Sequence, residues 1–267
     1  MKSRLKYILI VLGIFVFGLI IFLMVNKKSN RGSDYKIGIL ADDGLALVSI
    51  SKERKMINVL KINSEAKIWI PKGLSWYRNL TLNNILKQEK KTDLVDDIFF
   101  YNFGYKADKL LHLKKVDDWK NVYWWKLMLF NNFLTKEEVL KNDVNLSEDF
   151  LDEIMIRDFA ETKIIEEDLK LSVINTSEVS GLANFMAKRF ERLGFSVIFI
   201  GNNSDNKIKN CQILYGDEVA DTYSLFIINK IINCQKVKDE ALNKNEIELY
   251  FDSSFSEMIE YPSYNNN

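Results

Sequence analysis

The sequence predicts a mixed α/β (α+β) protein: one N-terminal transmembrane helix, a mixed α/β middle domain and a small β-α-β-β-α-β C-terminal domain. Three observations carry that expectation. Tyr7–Val25 (YILIVLGIFVFGLIIFLMV) runs 19 residues without a charge, enough at about 1.5 Å per residue to cross a bilayer core. Two β-rich runs, YKIGILADDGLALVSIS and KMINVLKINSEAKIWIP, meet at the polar Lys52–Lys55 as the arms of a hairpin do. Leu171–Asn202 then reads as strand, glycine turn, helix, glycine turn and strand. It places Gly181, Gly194 and Gly201, three of the chain's 11 glycines, at the joints.

Taken in order, residues 1–26 are expected to form a cytoplasmic tail and the membrane anchor. The rival, a cleaved signal peptide, needs a shorter apolar core of about 7–15 residues and a small-x-small cleavage site. No such site follows Val25. Lys2, Arg4 and Lys6 flank the run on one side and Lys27, Lys28 and Arg31 on the other, so charge leaves orientation balanced. The short leading tail favours a cytoplasmic N-terminus in a single-pass membrane protein, with the bulk of the chain extracytoplasmic beyond a polar linker at residues 27–35.

Residues 36–118 form the α/β middle region. After the two β-rich runs, Pro71 and Gly73 close a strand, Thr81–Lys87 reads as a short helix, Asp96–Phe103 as a strand or buried turn, and Ala107–Leu113 as a strand. Residues 119–167 read as a helical connector. Trp119, Val122, Tyr123, Lys126 and Leu127 recur at helical spacing, and Thr135 with Glu138, then Ser147, mark helix N-caps. YWWKLMLF within it is too short for a second span and carries Lys126, which favours a buried or groove-packing helix over an interfacial one. Residues 168–260 hold two β-α-β units, the second made of Gln212–Tyr215, a helix over Asp221–Asn233 and Glu246–Phe251. Residues 261–267 are a polar tail.

Composition narrows the chemistry. Lys+Arg 37 against Asp+Glu 37 implies no nucleic-acid partner. Cys211 and Cys234 either pair in an oxidising compartment or serve as buried apolar residues. With a single histidine, His112, and no Cys/His cluster, a zinc site of the usual spacing is excluded on ligand count; His112 reads as a strand-edge residue. Ser177 and Ser180 have no nearby histidine to make a nucleophile, and Glu166, Glu167 and Asp168 read as a solvated hinge. The three glycines read as backbone joints. A phosphate cradle would need further glycines or a P-loop lysine, and Gly181 stands alone in its turn.

Val173-Ile174-Asn175-Thr176, Gly181-Leu182-Ala183 and Gly194-Phe195-Ser196-Val197, followed by QILYG and IELYFDSSF, resemble the LytR C-terminal domain over roughly Leu169 to Ile259. Between Lys36 and Val122 the order of elements is similar to the catalytic domain of the LytR-CpsA-Psr family, whose members transfer lipid-linked glycopolymers to peptidoglycan. DDGLALVSIS, INVLKINSEAKIWIP and FGYKADKLLHLKKVDDW, with Gly104 and Asp108, carry that similarity. The family's pyrophosphate-holding arginine is replaced by Ser64, its proline by Asn63 and its aspartate by Glu65.

The resemblance therefore implies a membrane-anchored cell-envelope protein with a degenerate, shortened N-terminal domain. It would act as a non-catalytic binding or scaffolding module linked to cell-wall polymer attachment. No cofactor is implied, and the partners would be the membrane and wall polymers or envelope proteins. Binding would use Asn175, Thr176, Gly181 and Gly201, because ligands favour the C-terminal ends of strands in α/β sheets. The alternative is an active glycopolymer transferase that takes a polyprenyl-pyrophosphate-linked donor. Asp43 would then ligate magnesium with help from Asp42, and Arg78 or Arg157 would supply positive charge; the two aspartates read also as a polar pair at a strand entrance.

Overall fold

The computed structural model describes residues 34–122, 133–140, 148–203, 208 and 210–260. Tyr7–Val25, YWWKLMLF, Ser147 and the tail lie outside the described residues. No helix among those described is long and apolar enough to cross a membrane. The described residues all belong to one compact unit that contains two five-stranded sheets.

In the first sheet β1 (Asp34–Ala41), β2 (Gly44–Ser51) and β3 (Met56–Ile62) form an antiparallel meander. β1 starts at Asp34, so the last two positions of the expected linker are already strand. A small hairpin of β4 (Lys67–Ile70) and β5 (Ser75–Arg78) leads into helices α1 (Asn79–Gln88) and α2 (Val95–Phe103). β6 (Lys109–Leu113) and β7 (Leu134–Leu140) add parallel strands at the two edges, in the order β6-β1-β2-β3-β7. His112 is exposed on edge strand β6, as its sequence context suggests.

Two sequence expectations fail here for physical reasons. Asp96–Phe103 lies in helix α2, not a strand. Val95, Ile98, Phe99, Phe100, Tyr101 and Phe103 are all buried, and a helix apolar on most sides has no periodic face to read. The expected helical connector begins as a short helix, α3 (Trp119–Val122), but Thr135 sits in β7 and caps nothing. The free edge of β3 supplies backbone partners for Leu134–Leu140, and Lys61 and Asp158 supply charge partners for Glu137 and Lys136, so tertiary context overrides local propensity. Beyond it, α4 (Glu148–Ile154) continues into a π-helical turn, Met155–Phe159, and then α5 (Thr162–Glu167).

The second sheet contains β8 (Lys170–Asn175), β9 (Ser196–Asn202), β10 (Cys211–Tyr215), β11 (Gln235–Lys238) and β12 (Glu246–Phe251) in the order β11-β10-β12-β8-β9. Helix α6 (Leu182–Leu193) joins parallel β8 to β9, and α7 (Tyr223–Ile232) joins parallel β10 to β11. Because β10 runs opposite to β8, the two crossovers step outward in opposite directions. Right-handed connections then lay both helices on one face, where Phe190 and Ile228 share a core. The sequence reading ended the second unit on Glu246–Phe251. Instead it ends on β11, whose polar QKVK carries no strand signal, and β12 returns to the centre before α8 (Ser253–Ile259).

Gly181 (φ 82°) and Gly194 (φ 110°) bracket α6 in the left-handed region that favours glycine. Gly201 lies inside β9, not at its end. A Cβ there would fall 2.5 Å from the Phe199 ring, which lies across it. Cys211 and Cys234 form a disulfide with Cα atoms 5.1 Å apart, tying the start of β10 to the residue beyond the α7 cap.

The two sheets meet where α6 crosses α2. Phe100 packs on Phe190 at 5.5 Å and Trp69 on Phe185 at 5.9 Å between ring centres. Gly104 ends α2 at φ 62°, and a Cβ there would strike the Arg189 carbonyl at 2.5 Å. That close approach lets two buried arginines of α6 reach the first half of the chain. Arg189 Nε donates to Tyr101 O at 2.8 Å, and Arg192 bonds Asp152, Glu148 and Asn102 O.

Candidate functional site

Four of the sequence-derived positions come together at one end of the second sheet. Asn175 closes β8 opposite Asn202, and Gly201 pairs with Ile174 beside it. The buried Asn175 side chain donates from Nδ2 to Val179 O (2.9 Å) and accepts at Oδ1 from Ser177 N (2.9 Å) and Ser177 Oγ (2.6 Å). Thr176 donates from N and Oγ1 to Phe251 O. Gly181 O accepts from Phe185 N, starting α6. The polar groups that suggested a binding loop thus shape the 176–181 turn, as short Asx and Ser turns do. Glu178 and Ser180 are the side chains that this turn leaves exposed.

Asp43 lies elsewhere, in the β1–β2 turn of the first sheet. Its Oδ1 accepts from Val116 N at 2.8 Å. Asp42 accepts from Asn83 Nδ2 at 2.6 Å and pairs with Lys87 at 3.3 Å. Buried Asn79 holds this turn to the turn around Ser64. It accepts from Leu45 N at 2.9 Å and donates to Ile62 O at 2.9 Å and Asn63 O at 3.2 Å. A Cβ on Gly44 would meet its amide at 2.5 Å. Ser64 contributes its carbonyl to Leu80 N, and Arg78 reaches Glu65 at 3.4 Å. Asp43, Ser64 and Arg78 therefore belong to one end of the first sheet.

Arg157 is committed to acids instead: Asp158, Glu153 and Glu138 all lie within 3.3 Å of its guanidinium. Burial would raise the Asp158 carboxyl, but Arg157 and Lys136 outweigh it and hold the group below its ordinary range. Among the described residues no group of three or more His, Cys, Asp or Glu is placed to hold a metal ion. Asp43 Oδ1 is bonded to backbone and Asp42 Oδ1 to Asn83 and Lys87, so each carboxylate already has a protein partner.

A third place had no sequence signature. Where the segment before β6, α5 and α7 converge, a cavity of about 20 Å³ is lined by Lys106, Asp108, Glu161, Tyr223 and Lys230. Lys36, 1% exposed, pairs with Glu161, 8% exposed, at 3.4 Å. Asp108 accepts from Lys36 N, and Asp34 accepts from Thr162 Oγ1. Burial pushes Glu161 up, Lys36 opposes it, and Asp34 and Asp108 push the same way as burial. The space admits about one water, so this is a charged joint and not a substrate pocket. Glu167, read from sequence as part of a solvated hinge, accepts from Tyr223 N and Ser224 N, each at 2.8 Å, and places its charge at the N-terminus of α7.

Comparison with known proteins follows this division of the chain. Residues 168–251 match the family model LytR_C, described as LytR cell envelope-related transcriptional attenuator. No curated protein matches the chain. Among solved structures, the LytR-CPS2A-psr family protein YwtF (TagT) with bound octaprenyl pyrophosphate lipid is similar at 16% identity and a TM-score of 0.27. The similarity covers 32% of this chain and 36% of that one, so the chain spans about a third of its length. The matched segment contains the complete β8–β12 sheet with α6 and α7, so the similarity to the LytR C-terminal domain falls on this one sheet and its helices.

Proposed function

We propose that this protein is a membrane-anchored, extracytoplasmic module of the cell envelope that binds or scaffolds without catalysis and is linked to cell-wall polymer attachment. The observation that carries the reading is the LytR C-terminal domain match over residues 168–251 beside a first sheet that has Ser64 where the family arginine is expected. Asp42 and Asp43 at that end are engaged by the protein itself. Export is supported by the Cys211–Cys234 disulfide, a bond that persists in oxidising compartments, and anchoring by the uncharged Tyr7–Val25 run. The test is co-sedimentation of the fragment from Ser33 onward with purified wall sacculi at low and high salt. Salt-resistant pelleting is expected, and a fragment that stays in the supernatant at both salts overturns wall binding.

A transferase reading has one observation in its favour: Arg78, 69% exposed at its side chain, stands by the Ser64 turn, where among the described residues its ion-pair partner is Glu65. In that reading Arg78 supplies charge to a polyprenyl-pyrophosphate donor, and Asp43→Ala abolishes turnover of a lipid-linked glycopolymer. A wild-type protein without turnover removes it.

A further inference from the structure

The first sheet begins at Asp34, and the register across it shows what surrounds that entry. Asp34 pairs with Ser51, Ser51 with Met56 and Met56 with Leu134, so β1, β2, β3 and β7 share one end there. Asp43, Ser64 and Arg78 stand at the opposite end, the length of β1 or about 25 Å away. At the entry end the β2–β3 turn, Lys52–Lys55, is exposed throughout and sets three cations against one acid, Glu53. Lys55 O accepts from Leu134 N at 3.0 Å, which fixes beside this turn the most exposed large apolar side chain described, Leu134 at 75%.

On the other side of the entry, Thr162 Oγ1 donates to Asp34 at 2.7 Å. The next residue, Lys163, lies over the Tyr223 ring at 4.8 Å. Tyr223 stands 6.4 Å from the ring of Phe226, which is 58% exposed, and Lys230 lies over that second ring at 6.0 Å. Lysines set against aromatic rings join an apolar body to a cationic rim. That pairing suits a phospholipid headgroup layer, where rings lodge at the boundary and lysines meet phosphates.

The length of chain before the entry decides the partner. Eight residues, Asn26–Ser33, separate Val25 at the end of the uncharged run from Asp34, and they carry Lys27, Lys28 and Arg31 without an acid. Fully extended they reach about 30 Å. An anchored chain therefore keeps this end of the sheet beside the bilayer at an effective concentration that a diffusing partner does not match. We propose that the entry end of the first sheet docks on the phospholipid headgroup layer, with the β2–β3 turn and Leu134 on one side of Asp34 and the Tyr223–Phe226 pair on the other. The inference rests on the anchored reading given above. Docking turns the end that holds Asp43, Ser64 and Arg78 outward, about 25 Å from the headgroups. A pyrophosphate at headgroup level is then out of reach of Arg78, which favours binding over transfer.

The test uses the full chain in vesicles of phosphatidylglycerol and phosphatidylcholine that carry a quencher on their headgroups. A fluorophore is placed through Glu53→Cys in the turn or, as the control, through Glu65→Cys at the far end; both positions are exposed. The label at position 53 is expected to be quenched several-fold more than the label at position 65. Lys55→Glu with Leu134→Glu is expected to lower quenching at position 53 about twofold or more. Equal quenching at the two positions overturns the proposal, as does a label at position 53 that responds to added wall sacculi and not to lipid. A chain that does not float with the vesicles removes the anchored reading and this proposal with it. A chain that floats while the label at position 53 stays unquenched removes docking alone. If the double variant fails to fold, the comparison of the two labelled positions decides.

Discussion

The two halves of the compact unit are held by interactions of different reach. In the second sheet, the turn after β8 is shaped by uncharged bonds, Asn175 with Ser177 and Val179 two to four positions apart and Thr176 with Phe251 O across 75. In the first, shape depends on polar bonds between residues far apart in sequence. Asn58 donates to Asp158 O across 100 positions, Arg54 to Arg157 O across 103 and Thr162 to Asp34 across 128. The family match, over residues 168–251, falls on the half that holds this turn. A region built on distant pairs can retain its strand order while individual residues change.

The farthest-reaching expected effect lies where the two halves meet. Arg192 has 0% side-chain exposure and bonds Asp152, Glu148 and Asn102 O. Arg192→Ala removes the buried cation of that joint, leaving Lys188 to pair with Glu148 and Asp152, and is expected to cost about 2–3 kcal/mol, read as a lower denaturation midpoint. If the halves form one cooperative unit the variant unfolds in a single transition. A split into two transitions would show that α6 and its arginines are what couples them. A loss under about 1 kcal/mol would mean that water replaces the pair without penalty.

A more confined effect separates the halves. The disulfide closes a separation of 23 residues within the second sheet alone. By loop-closure entropy, Cys211→Ser with Cys234→Ser is expected to cost about 3 kcal/mol. Hydrogen exchange should quicken first in β10, β11 and α7 and leave β1–β3 unchanged. Equal quickening in both sheets would contradict a local staple and favour full coupling.

Legibility in the sequence follows the same division. The Lys52–Lys55 hairpin, the glycines that bracket α6 and the edge position of His112 each depend on neighbours within a few residues, and each was readable. Helix α2 was not, because burial on most sides erases periodicity. Strands β7 and β11 were hidden because LTKEEVL and QKVK become strands only when β3 and β10 offer a free edge. The candidate site divided likewise. Asn175, Thr176, Gly181 and Gly201 lie near one end of the second sheet, and their internal bonding was invisible in the sequence. The Lys36–Glu161 pair, between residues with no shared motif, left no trace in the pattern.

The smallest effect tests the first half alone. Asp43 Oδ1 accepts from Val116 N at 2.8 Å and so ties the β1–β2 turn to the 3-10 turn Val116–Asp118, which starts α3. Asp43→Ala leaves that partly buried N–H without its acceptor, at an expected cost of about 1 kcal/mol. Asp43→Asn keeps an acceptor oxygen and should recover most of it. If the carboxylate serves this turn, the loss is structural: stability falls slightly, Asn restores it, and pelleting with sacculi is unchanged. If the carboxylate serves a donor phosphate through a metal, the ordering reverses, because Asn loses the charge a divalent ion needs. Asn would then fail to restore turnover while leaving the melting temperature intact. The Ala/Asn pair therefore distinguishes a structural carboxylate from a functional one at the end of the first sheet that also holds Ser64 and Arg78.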